Sequence, residues 1–339
     1  DGTPCARLVV PAGKEHPISG RLSMVDVLVG PASPWDYLLH RVHLLKTFRD
    51  GSQLVPASDV LGNTPAGQLA CQDTQQMTGS TEDASVSALS RLGYSVKSSN
   101  LGAQVNLVQP GSAAAAAGVK CNDVVTAVDG RPIATAADLK VAITAQKPGA
   151  AVGVTVRRTG GDGKVATRTL TATLTGTPAL PASPGGAGVP AAPDQAFLGV
   201  GSRTQTTYTL PFDVSIQVGD IGGPSAGLAL TLGLLDVLSN GNLTGGLHVA
   251  ATGTISPDGT VGAVGGVAQK AVAVRRAGVQ IFLVPADNVA EARSEAGTHL
   301  RVMAVSSLQQ ALTDLERAGG HLGPLVRQPA ATAAPATGG

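Results

Sequence analysis

Residues 220–238 read DIGGPSAGLALTLGLLDVL, a glycine-rich turn followed by an almost wholly apolar run. Upstream, apolar and polar residues alternate over 212–218, which is the period of a strand with one wetter face. The apolar run predicts a buried helix that ends near Asn240 and Gly241. Further strands are predicted over 247–252, 279–284 and 300–305, and helices over 267–277, 287–296 and 307–318. This order of elements predicts an α/β fold.

Ser225 lies where the glycine-rich turn meets the apolar helix. Free backbone N–H groups and the positive end of the helix dipole favour a developing oxyanion at such a position. Pro224 has no N–H, which leaves Gly223, Ser225 and Ala226 as donors. The same pattern is also typical of a structural helix cap, and GPSAG fits the G-x-S-x-G elbow of esterases. The turn alone therefore does not decide the chemistry.

Lys270 supplies a second candidate group. It shares one face of its predicted helix with Val267, Ala271 and Val274, while the two arginines at 275 and 276 point elsewhere. An apolar face in the first helical turn should lower the pKa of a lysine, as a lysine general base requires. The structural alternative is a lysine that extends its ammonium to solvent at the rim of the core.

The two segments DIGGPSAG and ATGTISPDGTVGAVGGVAQK together resemble the proteolytic domain of Lon-type proteases, which use a Ser-Lys dyad. The resemblance implies that Ser225 is the nucleophile and Lys270 the base, that Thr252 in ATGT hydrogen-bonds the lysine, and that Gly223 supports the oxyanion. Thr252 is also a residue that a strand favours. Many Lon domains have an aspartate directly before Gly-Pro-Ser. Here Gly222 holds that position and Asp220 lies further back, where it braces the loop at most.

A second resemblance covers residues 98–175, where LGAQVNLVQPGSAAAAAGVKCNDVVTAVDGRPI is similar to bacterial, protease-associated PDZ domains. It implies that Leu101, Gly102 and Ala103 capture a peptide carboxylate, with Leu139 and Ile143 beside the side-chain pocket. An extended peptide would then add as a strand. The alternative is that these apolar residues belong to the core.

Both resemblances together point to the PDZ-containing, ATPase-free Lon-like peptidases of bacteria (the YlbL type). They predict five segments, which are 1–97 as part of the catalytic domain, 98–176 as the PDZ domain, 177–194 as a linker, 195–320 as the Lon-type domain and 321–339 as a disordered tail. Short strands over 20–29 and a helix over 81–92 favour a PDZ domain inserted into the catalytic domain.

Composition excludes several function classes. A net charge of +1 and 2% aromatic residues disfavour nucleic acid as a partner. Gly163-Lys164 is followed by Val165, so the chain contains no ATP-binding P-loop. No metal-ligand spacing and no cofactor motif occurs, and Cys5, Cys71 and Cys121 allow at most one internal disulfide.

The predicted partners are unfolded or peptide substrates at the dyad and peptide termini at the PDZ domain. The sequence leaves open whether the chain forms a homo-oligomer. No stretch is long and apolar enough to span a membrane, so membrane attachment is expected only through a segment upstream of Asp1. The resemblance implies an enzyme held at the extracytoplasmic face of a bacterial membrane.

Two alternatives remain. A Ser-His-Asp hydrolase would use His248, which also fits a strand histidine with a satisfied hydrogen bond. A PDZ adaptor with a latent peptidase fold would be expected to lose Ser225 or Lys270, and the chain retains both.

Overall fold

The computed structural model describes residues 6–27, 30, 33–35, 66–179, 191–219, 221–239 and 241–323. The strands are β1 (Arg7–Val9), β2 (Arg21–Met24), β3 (Lys97–Val108), β4 (Val124–Val128), β5 (Arg131–Pro132), β6 (Ala151–Thr159), β7 (Val165–Thr173), β8 (Thr175–Thr177), β9 (Ala192–Phe197), β10 (Val200–Thr209), β11 (Ser215–Gln217), β12 (His248–Ala251), β13 (Thr254–Ile255), β14 (Val261–Gly262), β15 (Ile281–Pro285) and β16 (Arg301–Val305). The helices are α1 (Ala66–Arg91), α2 (Ala113–Ala117), α3 (Ala136–Thr144), α4 (Gly227–Leu238), α5 (Val267–Arg276), α6 (Val289–Glu295) and α7 (Leu308–Arg317), with a 3-10 turn over Ala286–Asn288.

The chain divides into two compact units. The first takes the described parts of Asp1–Leu54, Met77–Lys97 and Thr209–Gly339, and the second those of Val55–Gln76 and Ser98–Tyr208. The chain thus leaves the first unit and later returns to it. The longer segment of the second unit begins at the predicted PDZ boundary but extends to Tyr208, beyond the predicted linker, and the described part of Val55–Gln76, predicted as catalytic domain, also belongs to this unit.

The first unit is built on a four-stranded sheet in the order β16-β15-β12-β2. All three pairings are parallel, with Val249 of β12 opposite Leu22 of β2 and Ile281 of β15. Alternate residues of β12 enter different cores, since Val249 and Ala251 pack with the leucines of α4 and Ala250 packs with Val267 and Ala271 of α5. The sheet is therefore covered on both faces, as parallel sheets require.

The second unit contains a six-stranded sheet, ordered β10-β3-β4-β6-β7 with β5 beside β4. Its core is formed by apolar residues of the strands together with Leu139 and Ile143 of α3. Capping is conventional, since Ser112 accepts a hydrogen bond from Ala115 N at the start of α2 and Thr135 forms a capping box with Asp138 at the start of α3. Cys71 and Cys121 form a disulfide in this unit, whereas Cys5 lies outside the described residues.

Several local predictions differ from the structure. The helix predicted over 81–92 begins much earlier, at Ala66. In 20–29 the strand covers Arg21–Met24, and residues 28–29 lie outside the described part. The ends of the predicted linker are paired, because β8 and β9 are antiparallel neighbours, while 180–190 lie outside the described residues. Asn240 and most of the predicted tail, from 324 on, also lie outside them.

Candidate active site

The nucleophile turn is residues 222–227, between β11 and α4. Gly223 has φ +81°, a left-handed conformation that glycine adopts without steric cost. Helix α4 begins at Gly227, and its N-cap, Ala226, makes no side-chain capping bond. Ser225 is therefore not the helix cap. Its half-buried side chain has no hydrogen bond to any described residue, which leaves the hydroxyl free for chemistry.

Hydrogen bonds to two carbonyls hold the turn in place. The Pro224 carbonyl accepts from Gly227 N and from the Ser80 hydroxyl, both at 3.3 Å. The Ser225 carbonyl accepts from Gly253 N at 2.9 Å and from the Thr252 hydroxyl at 3.2 Å. Both peptide groups that flank Ser225 are thus fixed through their carbonyl oxygens.

Thr252 and Gly253 come directly after β12 and are part of this arrangement. Thr252 is fully buried, and Gly253 has φ +143°. A Cβ at Gly253 would come within 3.0 Å of Val261 and 3.2 Å of Pro285, so a larger residue would disturb the turn. The ATGT segment therefore has a geometric role as well as a strand propensity.

Lys270 lies in the first turn of α5, which begins after Gly266 in a left-handed conformation. Its side chain is only 2% exposed, and Nζ donates to Thr252 Oγ1 at 3.1 Å. Burial lowers the pKa of Lys270, and the carboxylates of Asp26 and Glu291 oppose that shift. The lysine extends into the core and not to solvent, which contradicts the structural alternative for it.

Donor and acceptor roles in this network follow from its chemistry. A carbonyl only accepts, so the Thr252 proton must point to the Ser225 carbonyl and Lys270 must donate to Thr252 Oγ1. A neutral amine in this position keeps its lone pair. The arrangement can therefore hold a proton acceptor beside the nucleophile turn.

The site lies at the carboxyl edge of the parallel sheet. Thr252 follows β12, Asp26 follows β2 and Pro285 ends β15, and these strands run in the same direction. Open α/β sheets place functional groups at this edge. Asp220, the acid considered at the turn, lies outside the described residues.

His248 is at the opposite end of β12. Its Nε2 lies 2.9 Å from the Ser23 hydroxyl, and its backbone N donates to Gln280. Burial and the nearby Arg21 lower its pKa. Four residues of extended strand separate it from Thr252, about 13 Å. His248 is thus a strand histidine with a hydrogen-bond partner and is remote from the turn that carries Ser225.

The predicted peptide-binding residues of the second unit lie on an interior strand and on the buried face of a helix. Leu101, Gly102 and Ala103 lie on β3, which has β10 on one side and β4 on the other. The described pairing of β3 with β4 begins at Ala103, and peptide capture by these three residues stays a prediction. Leu139 and Ile143, which are 3% and 5% exposed, belong to the core.

The terminal strand of this sheet is β10, and β3 is its one sheet neighbour among the described strands. It follows Leu198-Gly199-Val200, where Gly199 has φ +84° and a Cβ would overlap Ser112. The Thr204 hydroxyl of β10 accepts from Ala136 N at the start of α3. Residues 197–200 read FLGV, an apolar-glycine-apolar pattern directly before this terminal strand.

No group of three or more metal-binding side chains occurs in the described part of the chain. Within that same part, no helix combines the length and apolar composition of a membrane crossing.

Comparisons with known families match both units. Residues 90–171 match the PDZ domain family, and residues 213–316 match the family described as Lon protease (S16) C-terminal proteolytic domain. The latter match includes the nucleophile turn, Thr252 and Lys270.

Curated relatives match over limited lengths. The Lon protease of Phenylobacterium zucineum is 44% identical over 71 residues, which are 21% of this chain and 9% of that protein. Lon protease 1 of Sorangium cellulosum is 36% identical over 93 residues, 26% of this chain and 11% of that protein. The chain thus spans only about a tenth of these relatives. A crystal structure of the PDZ domain of the SdrC-like protein from Listeria innocua matches at 19% identity with a TM-score of 0.21, covering 30% of this chain and 92% of that one.

Proposed function

We propose that this chain, a Lon-like peptidase with a PDZ domain, is an ATP-independent serine endopeptidase with a Ser225-Lys270 dyad. The observation that carries the proposal is the hydrogen-bonded series from Lys270 Nζ to Thr252 Oγ1 to the Ser225 carbonyl. It holds a buried amine of lowered pKa beside a turn whose serine hydroxyl has no other described partner. Those are the two requirements of a serine nucleophile with a lysine base.

In the proposed reaction the neutral Lys270 amine takes the proton of the Ser225 hydroxyl as Oγ attacks the scissile carbonyl carbon. The carbonyl oxygen becomes an oxyanion that accepts from N–H groups of the turn, with Gly223 shaping the loop. The Lys270 ammonium then returns its proton to the departing amine as the C–N bond breaks. Water, deprotonated by the same amine, then attacks the acyl-serine ester, and the Lys270 ammonium returns the proton to Ser225 Oγ as the C–O bond breaks and the acid leaves.

The substrates follow from the absence of an ATP-binding motif in this sequence. Without ATP-driven unfolding, the site would act on unfolded segments, exposed loops and tails. We assign peptide recognition to β10 and the neighbouring α3 in place of β3, because β10 is the terminal strand of its sheet. Val141 of α3 is 55% exposed and offers an apolar contact to a peptide side chain.

We also propose that the protein works on the extracytoplasmic side of a bacterial membrane. The Cys71-Cys121 disulfide supports this location, since such bonds persist in oxidising compartments.

The test is cleavage of unfolded casein and of a fluorogenic peptide, without ATP, by the wild type and by Ser225→Ala and Lys270→Ala. Matched controls are Ser215→Ala on β11 and Lys147→Ala after α3, both exposed. Activity should vanish in the first pair and persist in the second. Cleavage by Ser225→Ala or by Lys270→Ala would contradict the proposal. A wild type that binds peptides but cleaves none would identify a PDZ adaptor.

A further inference from the structure

We infer that Ser80 of α1 is a positioning residue that aims the oxyanion-binding N–H groups of the nucleophile turn. The inference rests on the proposed function, because it concerns the transition state of that reaction. Ser80 does not touch the substrate in this account. It acts through the Pro224 carbonyl.

The contact is close and buried. Ser80 is 5% exposed, and its hydroxyl lies 3.3 Å from the Pro224 oxygen. A Cβ on Gly227 would come within 3.0 Å of Ser80 Oγ and 2.9 Å of Ile255, so helix α1 approaches the turn as closely as glycine permits. Met77 and Ala84, on the same stretch of α1, pack in one core with the leucines of α4. The hydroxyl is therefore held against the turn by packing.

The hydroxyl of Ser80 is used differently from that of its neighbour. Ser85 on the same helix donates to the Thr81 carbonyl one turn earlier, at 2.8 Å, which is the usual local bond of a helical serine. Ser80 instead donates to a residue 144 positions away in the sequence. It is the one side-chain donor that the described residues direct at Pro224 O.

Peptide geometry links this bond to catalysis. In a planar trans peptide the N–H points opposite to the C=O. Bonds to the Pro224 carbonyl therefore orient the Ser225 N–H, and bonds to the Ser225 carbonyl orient the Ala226 N–H. Neither N–H has a hydrogen-bond acceptor among the described residues. Both N–H groups are free donors, and hydrogen bonds to the carbonyl on the opposite side of each peptide hold them in place. These are the properties of a preorganised oxyanion hole.

The two donors are not fixed equally. Gly253 N and the Thr252 hydroxyl both reach the Ser225 carbonyl from the end of β12. Among the described residues, Ser80 is the one donor from outside the turn that reaches the Pro224 carbonyl, because the other donor, Gly227 N, belongs to the turn itself. Loss of Ser80 should thus loosen the Ser225 N–H and leave the Ala226 N–H in place.

The experiment compares Ser80→Ala, Ser80→Thr and the control Ser85→Ala. We measure kcat and KM for the fluorogenic peptide, and the affinity for a peptide boronic acid, whose tetrahedral serine adduct mimics the oxyanion. A net hydrogen bond of about 1 kcal/mol corresponds to an effect of roughly five- to tenfold. We expect Ser80→Ala to lower kcat and boronate affinity by about that factor, with KM unchanged. Ser80→Thr, which keeps the hydroxyl, should restore both, and Ser85→Ala should change neither.

Two results would overturn the inference. One is a Ser80→Ala enzyme whose kcat and boronate affinity equal those of Ser85→Ala. The other is a loss that Ser80→Thr does not restore and that follows the melting temperature, which would indicate a packing role. If Ser225→Ala is inactive and the wild type forms the adduct, the proposed function stands whatever Ser80 does. A wild type that forms no adduct refutes both.

Discussion

The proposed dyad of the first unit and the proposed peptide-binding strand of the second differ in which atoms would carry their function. At the proposed dyad, hydrogen bonds join the Lys270 and Thr252 side chains to the Ser225 carbonyl, at the carboxyl edge of a sheet that is covered on both faces. At β10, the proposed recognition element is the backbone of a strand that has one sheet neighbour among the described residues.

This difference determines how each region should respond to substitution. A site made of converging side chains depends on single atoms, and the removal of one of them should abolish its chemistry. A strand edge keeps its backbone donors and acceptors when side chains change, and pockets beside it only modulate affinity. Activity and peptide binding should therefore differ strongly in sensitivity.

The largest effect is expected at Lys270. Lys270→Arg keeps a positive charge, but a guanidinium stays protonated and cannot act as a base, so peptide cleavage should fall by about 10³-fold or more. Lys270→Met should be equally inactive but more stable than the wild type at neutral pH, because it no longer buries an amine. Initial rates on the fluorogenic peptide and chemical denaturation measure the two properties.

The control for this substitution is Lys147→Arg after α3, where the lysine is exposed and should tolerate the change. Retention of a tenth or more of wild-type activity by Lys270→Arg would contradict a base at this position.

The second effect is on stability and concerns only the second unit. The Cys71-Cys121 bond closes a separation of 50 residues, and its loss should destabilise that unit by about 4 kcal/mol in the chain-entropy estimate. Thermal unfolding of the wild type with and without reductant, compared with Cys71→Ser, measures it. The double variant Cys71→Ser/Cys121→Ser should not respond to reductant. A wild type whose transitions are identical in both conditions would refute the disulfide's contribution.

These two regions also differ in how much of their structure the sequence predicts. Ser225, Thr252 and Lys270 each lie in a short motif with its own local signal, and hydrogen bonds from Thr252 to the Ser225 carbonyl and from Lys270 to Thr252 join these motifs. The PDZ domain was predicted from its sequence pattern and matches that family, but the sequence did not show that β3 gains a neighbour, β10, from about a hundred residues later in the chain. Periodicity predicts strands, but strand order is a tertiary property that periodicity does not contain. The contact of Ser80 with the turn was missed for the same reason.

The third effect is at Thr252, which joins the base to the nucleophile turn. Thr252→Val keeps the shape but removes the hydroxyl, so Lys270 loses its acceptor and the Ser225 carbonyl one of its donors. We expect kcat to fall by about 10- to 100-fold, the range of hydrogen bonds to ionisable groups. Thr252→Ser should retain most of the activity. Equal rates for Thr252→Val and the wild type would show that the hydroxyl does not position the lysine.

A smaller effect is expected at the terminal strand. Val141 on α3 and Val165 on β7 are 55% and 53% exposed, which makes them a matched pair. Val141→Glu should weaken binding of a fluorescent peptide with a free carboxylate and an apolar last residue by about tenfold, through lost apolar contact and charge repulsion. Fluorescence polarisation on the Ser225→Ala background measures it without cleavage.

Val165→Glu should bind this peptide as the unsubstituted protein does, and so should Leu101→Ala, because Leu101 lies on an interior strand. Weaker binding by Leu101→Ala and unchanged binding by Val141→Glu would indicate that the peptide binds at β3.

The smallest expected effect is a pH dependence of the free energy of unfolding. It should arise from Lys270 and not from the terminal strand β10. The pKa of Lys270 is lowered by burial from its usual value of 10.5, so the unfolded chain binds more protons than the folded one between the lowered pKa and 10.5. In that window stability rises with pH, by at most about 1.4 kcal/mol per pH unit for one group, and outside it this contribution is flat. Subtracting the denaturation profile of Lys270→Met from that of the wild type isolates the slope.

Cleavage by the wild type should increase through the lower end of the same window, as the amine loses its proton, and His248→Ala should show the same profile. A bell-shaped profile near neutral pH that His248→Ala abolishes would identify His248 as the base. Because both measurements report one ionisation, a stability slope and a rate increase that fall in different pH ranges would also rule out Lys270 as the base.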